Sequence, residues 1–568
     1  MREGFVPVRL HTAAALLALL APVAWAASPP ANFTDSVLAT VGSPTALAFT
    51  PDGRLLVTTQ GGTLRVYCPT NAIPGCAGAP AGGGLLGPAA LTFPLPGSDG
   101  TVKPAPLCTN SERGLLGVAV DPAFATNGYV YLYYTRQVFL PGGLSGSWQG
   151  CETGGGGSTH PPANYPVNRV SRFTFTAGTS SVSGASEVVL LDNMPSPAGN
   201  HNAGDLHFGK DGYLYASVGD GGCDYAGNSG CGGGNDASRD VNVLNGKVLR
   251  IDPRGNPNPA VTSSPPFIPP TNPNASTGGR CNLAGQVAAG TPCQETYGRG
   301  FRNPFRFATD PNAAGTRIFV NDVGQDTWEE IDLLQGGADY GWNVREGPCP
   351  TGQVKPCSAT PAGMTDPVFA YSHGSAIPGT TGPLTCGAIT GGAFVPNGIW
   401  PTATYDNAYL FADYNCGAIF RMAATGSGPF TSAATFDLNL GASTATALAF
   451  GPYTPPGGNP TQALYYATYG GGGEVHVVSY AVAGNHPPVA VASVSVAGGL
   501  LPFTPTFSAA GSSDPDAGDV LTYFWDFGDG QTAQTTSLTI QHTYPAAGAF
   551  TVTLRARDDK FSFSAPVT

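Results

Sequence analysis

The residues of this 568-residue chain best placed to do chemistry sit in the stretch NHNAGDLHFGKDGYLYASVGDGG, residues 200–222. Two alternating segments flank a Gly209-Lys210-Asp211-Gly212 turn, the pattern of a β-hairpin. With unbroken antiparallel pairing from that turn, His201 faces Asp220 across the hairpin's open end. An imidazole N–H bonded to a carboxylate fixes the ring tautomer and leaves the second nitrogen able to accept a proton, as a general base requires. The same two residues also fit a solvated loop histidine and a turn-closing aspartate, so spacing alone leaves both readings open.

Five more stretches share the hairpin's form and must position it. Alternating pairs of apolar strands around Asp, Pro or Gly turns recur from Ala46, Leu115, Phe305, Gly391 and Ala447. Six copies without helical periodicity between them predict radial repetition, an all-β fold with a six-bladed β-propeller. A sandwich has no need of six near-equivalent hairpins. Gly/Pro-rich connections at 137–168, 253–296 and 347–386 are expected as surface loops between blades. The 41% hydrophobic content supplies a core despite 80 glycines and 53 prolines. A net charge of −12 with no basic cluster excludes a nucleic-acid partner.

The ends carry further signals. Arg2 and Arg9 precede the apolar run TAAALLALLAPVAWA, which closes on Ala24-Trp25-Ala26, so residues 1–26 are expected to be a secretory signal peptide. No later segment has the length and hydropathy of a transmembrane helix. Twelve cysteines fit an oxidising compartment. Their spacings suggest local pairs 68/76, 108/151, 223/231, 281/293, 349/357 and 386/416, while no clustered Cys/His set favours zinc. The propeller is expected over 27–484. Beyond AVAGNHPPVAVAS, the run WDFGDG (525–530) and the stretch from His542 to Leu554 resemble a PKD domain, an immunoglobulin-like β-sandwich expected over 485–568 and stopping within its last strand. Asp514, Asp516 and Asp519 there fit turn formation better than a calcium site.

Between about 40 and 480, ERGLLGVAVDPAF, HNAGDLHFGKDGYLYASVGD, GKVLRIDP, YGRGFRNPFRFATDP, DVGQDTWEEIDLLQGGADYGWNVREG and YSHGSAIPGTTGPLTCGAITGGAFVPNG follow one another. In that order they resemble the glucose/sorbosone dehydrogenases, soluble quinoproteins that use pyrroloquinoline quinone (PQQ). The YSH and DVGQ runs are closer to the branch of aldose dehydrogenases and hedgehog-interacting proteins. The resemblance implies a secreted enzyme of the bacterial periplasm, cell surface or exterior. It would oxidise an aldose at C1, pass a hydride to PQQ and hand electrons to an external acceptor. His201 matches the base, Asp220 the carboxylate that orients it, and Arg302 and Asn303 the pair at the quinone. Gly324 and Gln325 match backbone ligands of a calcium ion, and Glu330 also fits that pattern. Four positions depart. Asn415 stands where a cofactor-binding lysine is expected, Thr444 and Thr446 where two arginines are, and Glu112 replaces a substrate-side glutamine. Arg299, Arg306 and Lys247 are the candidates to replace the missing cations. The departures support an alternative, a non-catalytic, calcium-containing propeller that binds carbohydrate or protein at the cell surface.

Overall fold

Each predicted hairpin forms the first two strands of an antiparallel sheet. The computed structural model describes residues 27–94, 102–140, 147–148, 151, 166–222, 236–354, 357, 359–380, 386–440, 445–455 and 458–568, so the expected signal peptide lies outside the described residues. Blade one is built on Pro44–Phe49, Leu55–Thr59, Thr63–Cys68 and Gly84–Leu85, and blade two on Leu115–Val120, Tyr129–Arg136, Val167–Thr174 and Val188–Pro195. Blade three uses Ala203–Phe208, Leu214–Val218, Lys247–Ile251 and Thr296–Arg299. Blade four uses Pro304–Thr309, Ile318–Asp322, Trp328–Leu333 and Phe369–Ser372. Blade five uses Ile389–Phe394, Ala408–Asp413, Ala418–Ala423 and Ala434–Asp437. In blade six, Ala447–Tyr453, Thr461–Ala467 and Glu474–Tyr480 are joined by the N-terminal strand Phe33–Thr40. The first strands of successive blades neighbour one another all the way round, and the sixth meets the first, so the six sheets close a propeller.

The ring is sealed by the strand that comes first in sequence. Phe33–Thr40 pairs antiparallel with Glu474–Tyr480, setting Phe33 opposite Tyr480 and Val37 opposite His476. Phe33 then packs edge-on against Trp400, Tyr405, Phe436 and Tyr480 at ring separations of 4.8–5.3 Å. The aromatic contacts hold blade six to blade five. At the seam, Asp35 Oδ1 lies 2.8 Å from His476 Nδ1, and the Tyr466 hydroxyl donates to Asp35 Oδ2.

Two of the long connections lie inside blades, which corrects the expectation that they separate them, while the third, 347–386, contains the last strand of blade four, Phe369–Ser372, and beyond it leads to blade five. Residues 137–166 link the second and third strands of blade two, and 252–295 link the last two strands of blade three. The cause is blade depth: an outer strand can be added after a long excursion because only the inner hairpin is fixed by the ring. Disulfides Cys68–Cys76, Cys108–Cys151, Cys281–Cys293, Cys349–Cys357 and Cys386–Cys416 form as the spacing suggested; the 223/231 pair lies outside the described residues.

Past the ring, Ser493–Val494, Thr506–Ser508 and Thr539–Gln541 form one three-stranded sheet, and Thr532–Thr535, Thr522–Asp526 and Thr553–Arg557 another. Trp525, Phe507, Phe527, Tyr544 and Leu554 fill the space between them, the arrangement of a small β-sandwich. Lys560 Nζ lies 2.8 and 2.9 Å from the two Asp519 oxygens, pairing the acidic turn internally. No helix among the described residues is long and apolar enough to cross a membrane.

Candidate active site

His201 and Asp220 do meet, His201 Nδ1 lying 2.7 Å from Asp220 Oδ1. The predicted register needed a correction to bring this about. Near the turn the hairpin pairs Phe208 with Leu214 and Leu206 with Ala216, one position off the expected alignment. A β-bulge between Ala203 and Leu206 takes up the extra residue, so Ala203 faces Val218 and the open end returns to the expected alignment. Gly219 permits the close approach, because a Cβ there would lie 2.0 Å from the His201 carbonyl oxygen.

His201 sits at φ +50°, a left-handed conformation that costs a non-glycine residue about 1–3 kcal/mol. Its backbone N–H donates to Glu112 Oε2 at 2.7 Å, and Asn303 Nδ2 approaches the same oxygen at 3.4 Å. Glu112, expected at the substrate, is therefore also a brace for the histidine. The adjacent Arg113 holds the incoming loop, donating to Ser196 Oγ at 3.0 Å and to the Pro197 carbonyl at 3.2 Å.

Asp220 is fully buried. Burial alone would raise its pKa, but His201, then Arg302 and the Gly222 N–H, outweigh it and hold the carboxyl below the usual range. Trp342 Nε1 donates to Asp220 Oδ2 at 2.9 Å, fixing the carboxylate from the side opposite His201. Trp342 was visible in the ADYGWN motif but carried no signal of this role. His201 Nε2 has no hydrogen-bond partner among the described residues, leaving it to a ligand.

The next blade brings the second half of the site. Asp322 accepts the backbone N–H of Arg302 at 2.9 Å and of Asn303 at 2.7 Å, and the Arg302 carbonyl accepts the Asp220 N–H at 2.8 Å. Asn303 Oδ1 accepts the Ala203 N–H at 3.0 Å. Arg302 and Asn303 are thus tied into the His201 hairpin. The Arg302 guanidinium lies over Trp342 at 5.6 Å, and Nη1 donates to the Val323 and Gly324 carbonyls at 3.0 and 2.7 Å. Arg302 Nε is buried without a partner. Beside these residues opens a cavity of about 260 Å³, lined in part by Glu112, Asn303, Tyr414 and Tyr469.

The turn after Gly324 wraps a carboxylate. Glu346 Oε1 accepts the backbone N–H groups of Gln325, Asp326, Thr327 and Trp328 at 2.8–3.1 Å. Behind the turn, Asp322, Glu330 and Asp332 gather, all buried, with one oxygen from each within 4.8 Å of the others. Glu330 Oε2 and both Asp332 oxygens have no hydrogen-bond partner. Burial, then mutual repulsion, pushes the Glu330 and Asp332 carboxyls well up.

The candidate replacements for the missing cations are already bonded to protein oxygens, although Arg306 lines the same cavity. Lys247 Nζ donates to the carbonyls of Ala237, Ser238 and Asn245 at 2.6–3.0 Å; burial pulls its pKa down to about 7. Arg306 donates to the Thr446 and Thr45 carbonyls, and Arg299 pairs with Asp339 at 3.3 Å. Thr446 is buried with Oγ1 3.3 Å from the Pro44 carbonyl oxygen, and Thr444 lies outside the described residues. Asn415 is exposed at the end of blade five, its backbone N–H on Asp413 at 3.0 Å. One histidine was quoted in the YSH motif but given no role: His373 Nε2 lies 2.6 Å from Glu329 Oε1.

A six-bladed ring with these motifs at its blade starts is the architecture of a sugar-dehydrogenase propeller. The chain belongs to the glucose/sorbosone dehydrogenase family, whose sequence model matches residues 41–382. A PKD domain model matches residues 485–562. The chain is 28% identical over 346 residues to the HIPL2 protein of Arabidopsis thaliana, a match covering 57% of this chain and 46% of that protein. It is 26% identical over 334 residues to the aldose sugar dehydrogenase YliI of Escherichia coli K12, covering 57% and 65%. It is 25% identical over 339 residues to quinoprotein glucose dehydrogenase B of Acinetobacter calcoaceticus, covering 57% and 55%. The chain spans about half the length of the curated HIPL relatives it matches. The fold is also that of the solved soluble aldose sugar dehydrogenase of Escherichia coli, at TM-score 0.52 and 20% identity over 79% of this chain and all of that one.

Proposed function

We propose that this protein is a secreted sugar dehydrogenase that oxidises an aldose at C1, with PQQ as hydride acceptor and His201 as general base. The observation that carries the reading is the His201–Asp220 pair at 2.7 Å, held at a blade mouth with Arg302 and Asn303 bonded into the same hairpin. In support of the fit to the cofactor, the Arg302 Nε is buried without a partner, a donor suited to an electron-rich oxygen, and the adjoining Asn303 lines a cavity. When bound, PQQ supplies the two-electron acceptor. The remaining work belongs to the chain. Asp220 stays ionised and holds the His201 Nδ1 proton, so Nε2 accepts the C1 hydroxyl proton. Trp342 and the Gly222 N–H keep Asp220 from rotating, and Glu112 holds the His201 backbone. Arg302 places positive charge where negative charge develops during reduction.

Calcium fits the described residues best at Asp322, Glu330 and Asp332, where one Glu330 oxygen and both Asp332 oxygens are buried hard donors without hydrogen-bond partners. Held there, the ion would brace the Asp322 carboxylate that fixes Arg302 and Asn303. The Gly324–Gln325 turn is the second calcium position of this reading, and it requires Arg302 to share the Gly324 carbonyl. Five disulfides among the described residues accord with an oxidising, extracytoplasmic location.

The commitment of Lys247, Arg299 and Arg306 favours one rival, a propeller that binds glycan or protein without redox chemistry. Each charge-assisted bond to a carboxylate is worth about 1.5–3 kcal/mol, so three lost bonds would weaken PQQ by orders of magnitude. Dye reduction by the purified protein with added PQQ and Ca²⁺, across a panel of aldoses, separates the two. Turnover with at least one aldose is expected. No turnover and no spectral change of added PQQ would leave the binding module.

A further inference from the structure

A second imidazole–carboxylate pair stands on the same mouth, one blade on. Glu329 is fully buried, and its Oε2 accepts the N–H groups of Ile389 at 3.0 Å and Gly324 at 3.3 Å. Oε1 takes His373 Nε2, and the His373 N–H donates to the Thr327 carbonyl at 2.9 Å. Ring and backbone are thereby fixed, and Nδ1 has no partner among the described residues. Through the Gly324 peptide the pair joins Arg302, whose guanidinium grips the carbonyl of the residue whose N–H meets Glu329.

Between His373 and Asn415 the chain places Gly387. A Cβ at that position would touch His373 Cγ at 3.5 Å and Asn415 Nδ2 at 3.7 Å, so the ring and the amide flank one notch that the glycine leaves open. The floor of the notch is a carboxylate held by the protein. Asp413, just below, accepts five donors: the N–H groups of Gly387, Ala388, Asn415 and Cys416 and the Tyr371 hydroxyl, at 2.7–3.2 Å. Its lone pairs are therefore satisfied by the protein, while its negative charge favours a protonated His373 beside it. The Cys386–Cys416 disulfide staples the two walls together. An imidazole anchored on a buried carboxylate, with a side-chain amide beside it, is a donor set for an anionic planar group.

We propose that His373, with Asn415 across the Gly387 notch, binds a carboxylate of the ligand held at this mouth. For the ligand's identity this rests on the dehydrogenase reading, where the notch supplies hydrogen-bond donors in place of the lysine that Asn415 replaces.

Calorimetric titration of the full chain with PQQ, and separately with benzene-1,3,5-tricarboxylate, tests it on His373→Ala, Asn415→Ala and Asn415→Lys. His373→Ala is expected to raise the PQQ Kd tenfold or more and Asn415→Ala several-fold, whereas Asn415→Lys lowers it. The tricarboxylate should follow the same order. Should His373→Ala fail to fold, since it orphans Glu329, the two variants at exposed Asn415 decide. PQQ binding with one affinity across all variants overturns the notch and keeps the dehydrogenase reading. Ordered tricarboxylate binding without PQQ binding keeps the notch and removes the quinone, and binding of neither overturns both.

Discussion

At His201 the chemistry depends on which ring nitrogen carries the proton, and Asp220 decides that. His201→Ala should lower turnover by about 10²–10⁴-fold, the usual contribution of a positioned base. Asp220→Asn should do nearly as much, since an amide in place of the carboxylate no longer selects the tautomer. Steady-state kinetics at saturating aldose check both, with circular dichroism to show the fold intact. Of this site, the sequence made legible the residue types and the pairing of His201 with Asp220. It did not show Trp342 on Asp220, because a tryptophan 122 positions away is brought there only by closure of the ring. Nor did it show that Glu112 faces inward to the His201 N–H, since a polar residue before a strand gives no direction.

At the scale of elements, the bulge and the seam matter most. Gly219→Ala would drive a methyl to 2.0 Å from the His201 carbonyl oxygen, so the hairpin must open to accept it. A loss of about 1–3 kcal/mol in stability is expected, with turnover falling further than stability explains. Denaturant melts and kinetics on one preparation test this. The seam has its own pH signature. Burial would lower His476, but Asp35 and Glu474 hold it above its ordinary value; burial and the Asp35 charge push Asp437 up to about 7. Both groups bind their protons more tightly when folded. The Asp437 contribution is complete only below its ordinary carboxyl value and falls away as pH rises to about 7, whereas that of His476 is complete below its ordinary imidazole value and is lost as pH rises through its raised one. Amides of Phe33–Thr40 should therefore exchange faster at pH 8.5 than at pH 6 by more than intrinsic chemistry predicts, and His476→Gln should flatten the difference. The six hairpins were readable because alternation and turn residues are local. The strand Phe33–Thr40 was missed as a partner of Glu474–Tyr480, since pairing across the whole chain leaves no local mark.

For the whole molecule, a closed ring lets stability and site share one set of contacts, because each inner strand touches two neighbours. Calcium at Asp322, Glu330 and Asp332 would then act on both. Chelation with EDTA is expected to lower Tm by several degrees and Ca²⁺ to restore it, whereas Asp332→Asn should blunt the response; scanning calorimetry gives the answer. The ring was legible as a count of hairpins, but the insertions at 137–168 and 253–296 fall within blades and not between them, since sequence order does not tell an outer strand from a connection. The PKD motif was legible because WDFGDG places Trp525 and Phe527 in the sandwich core. The central step of the proposed function is the loss of an aldose's C1 hydrogen at the His201–Asp220 mouth. Anaerobic stopped-flow mixing of the PQQ- and Ca²⁺-loaded protein with an aldose and its C1-deuterated form addresses this directly. Bleaching of the oxidised cofactor spectrum is expected, slowed several-fold by deuterium and abolished in His201→Ala. No bleaching with any aldose, or equal rates in wild type and His201→Ala, would contradict it.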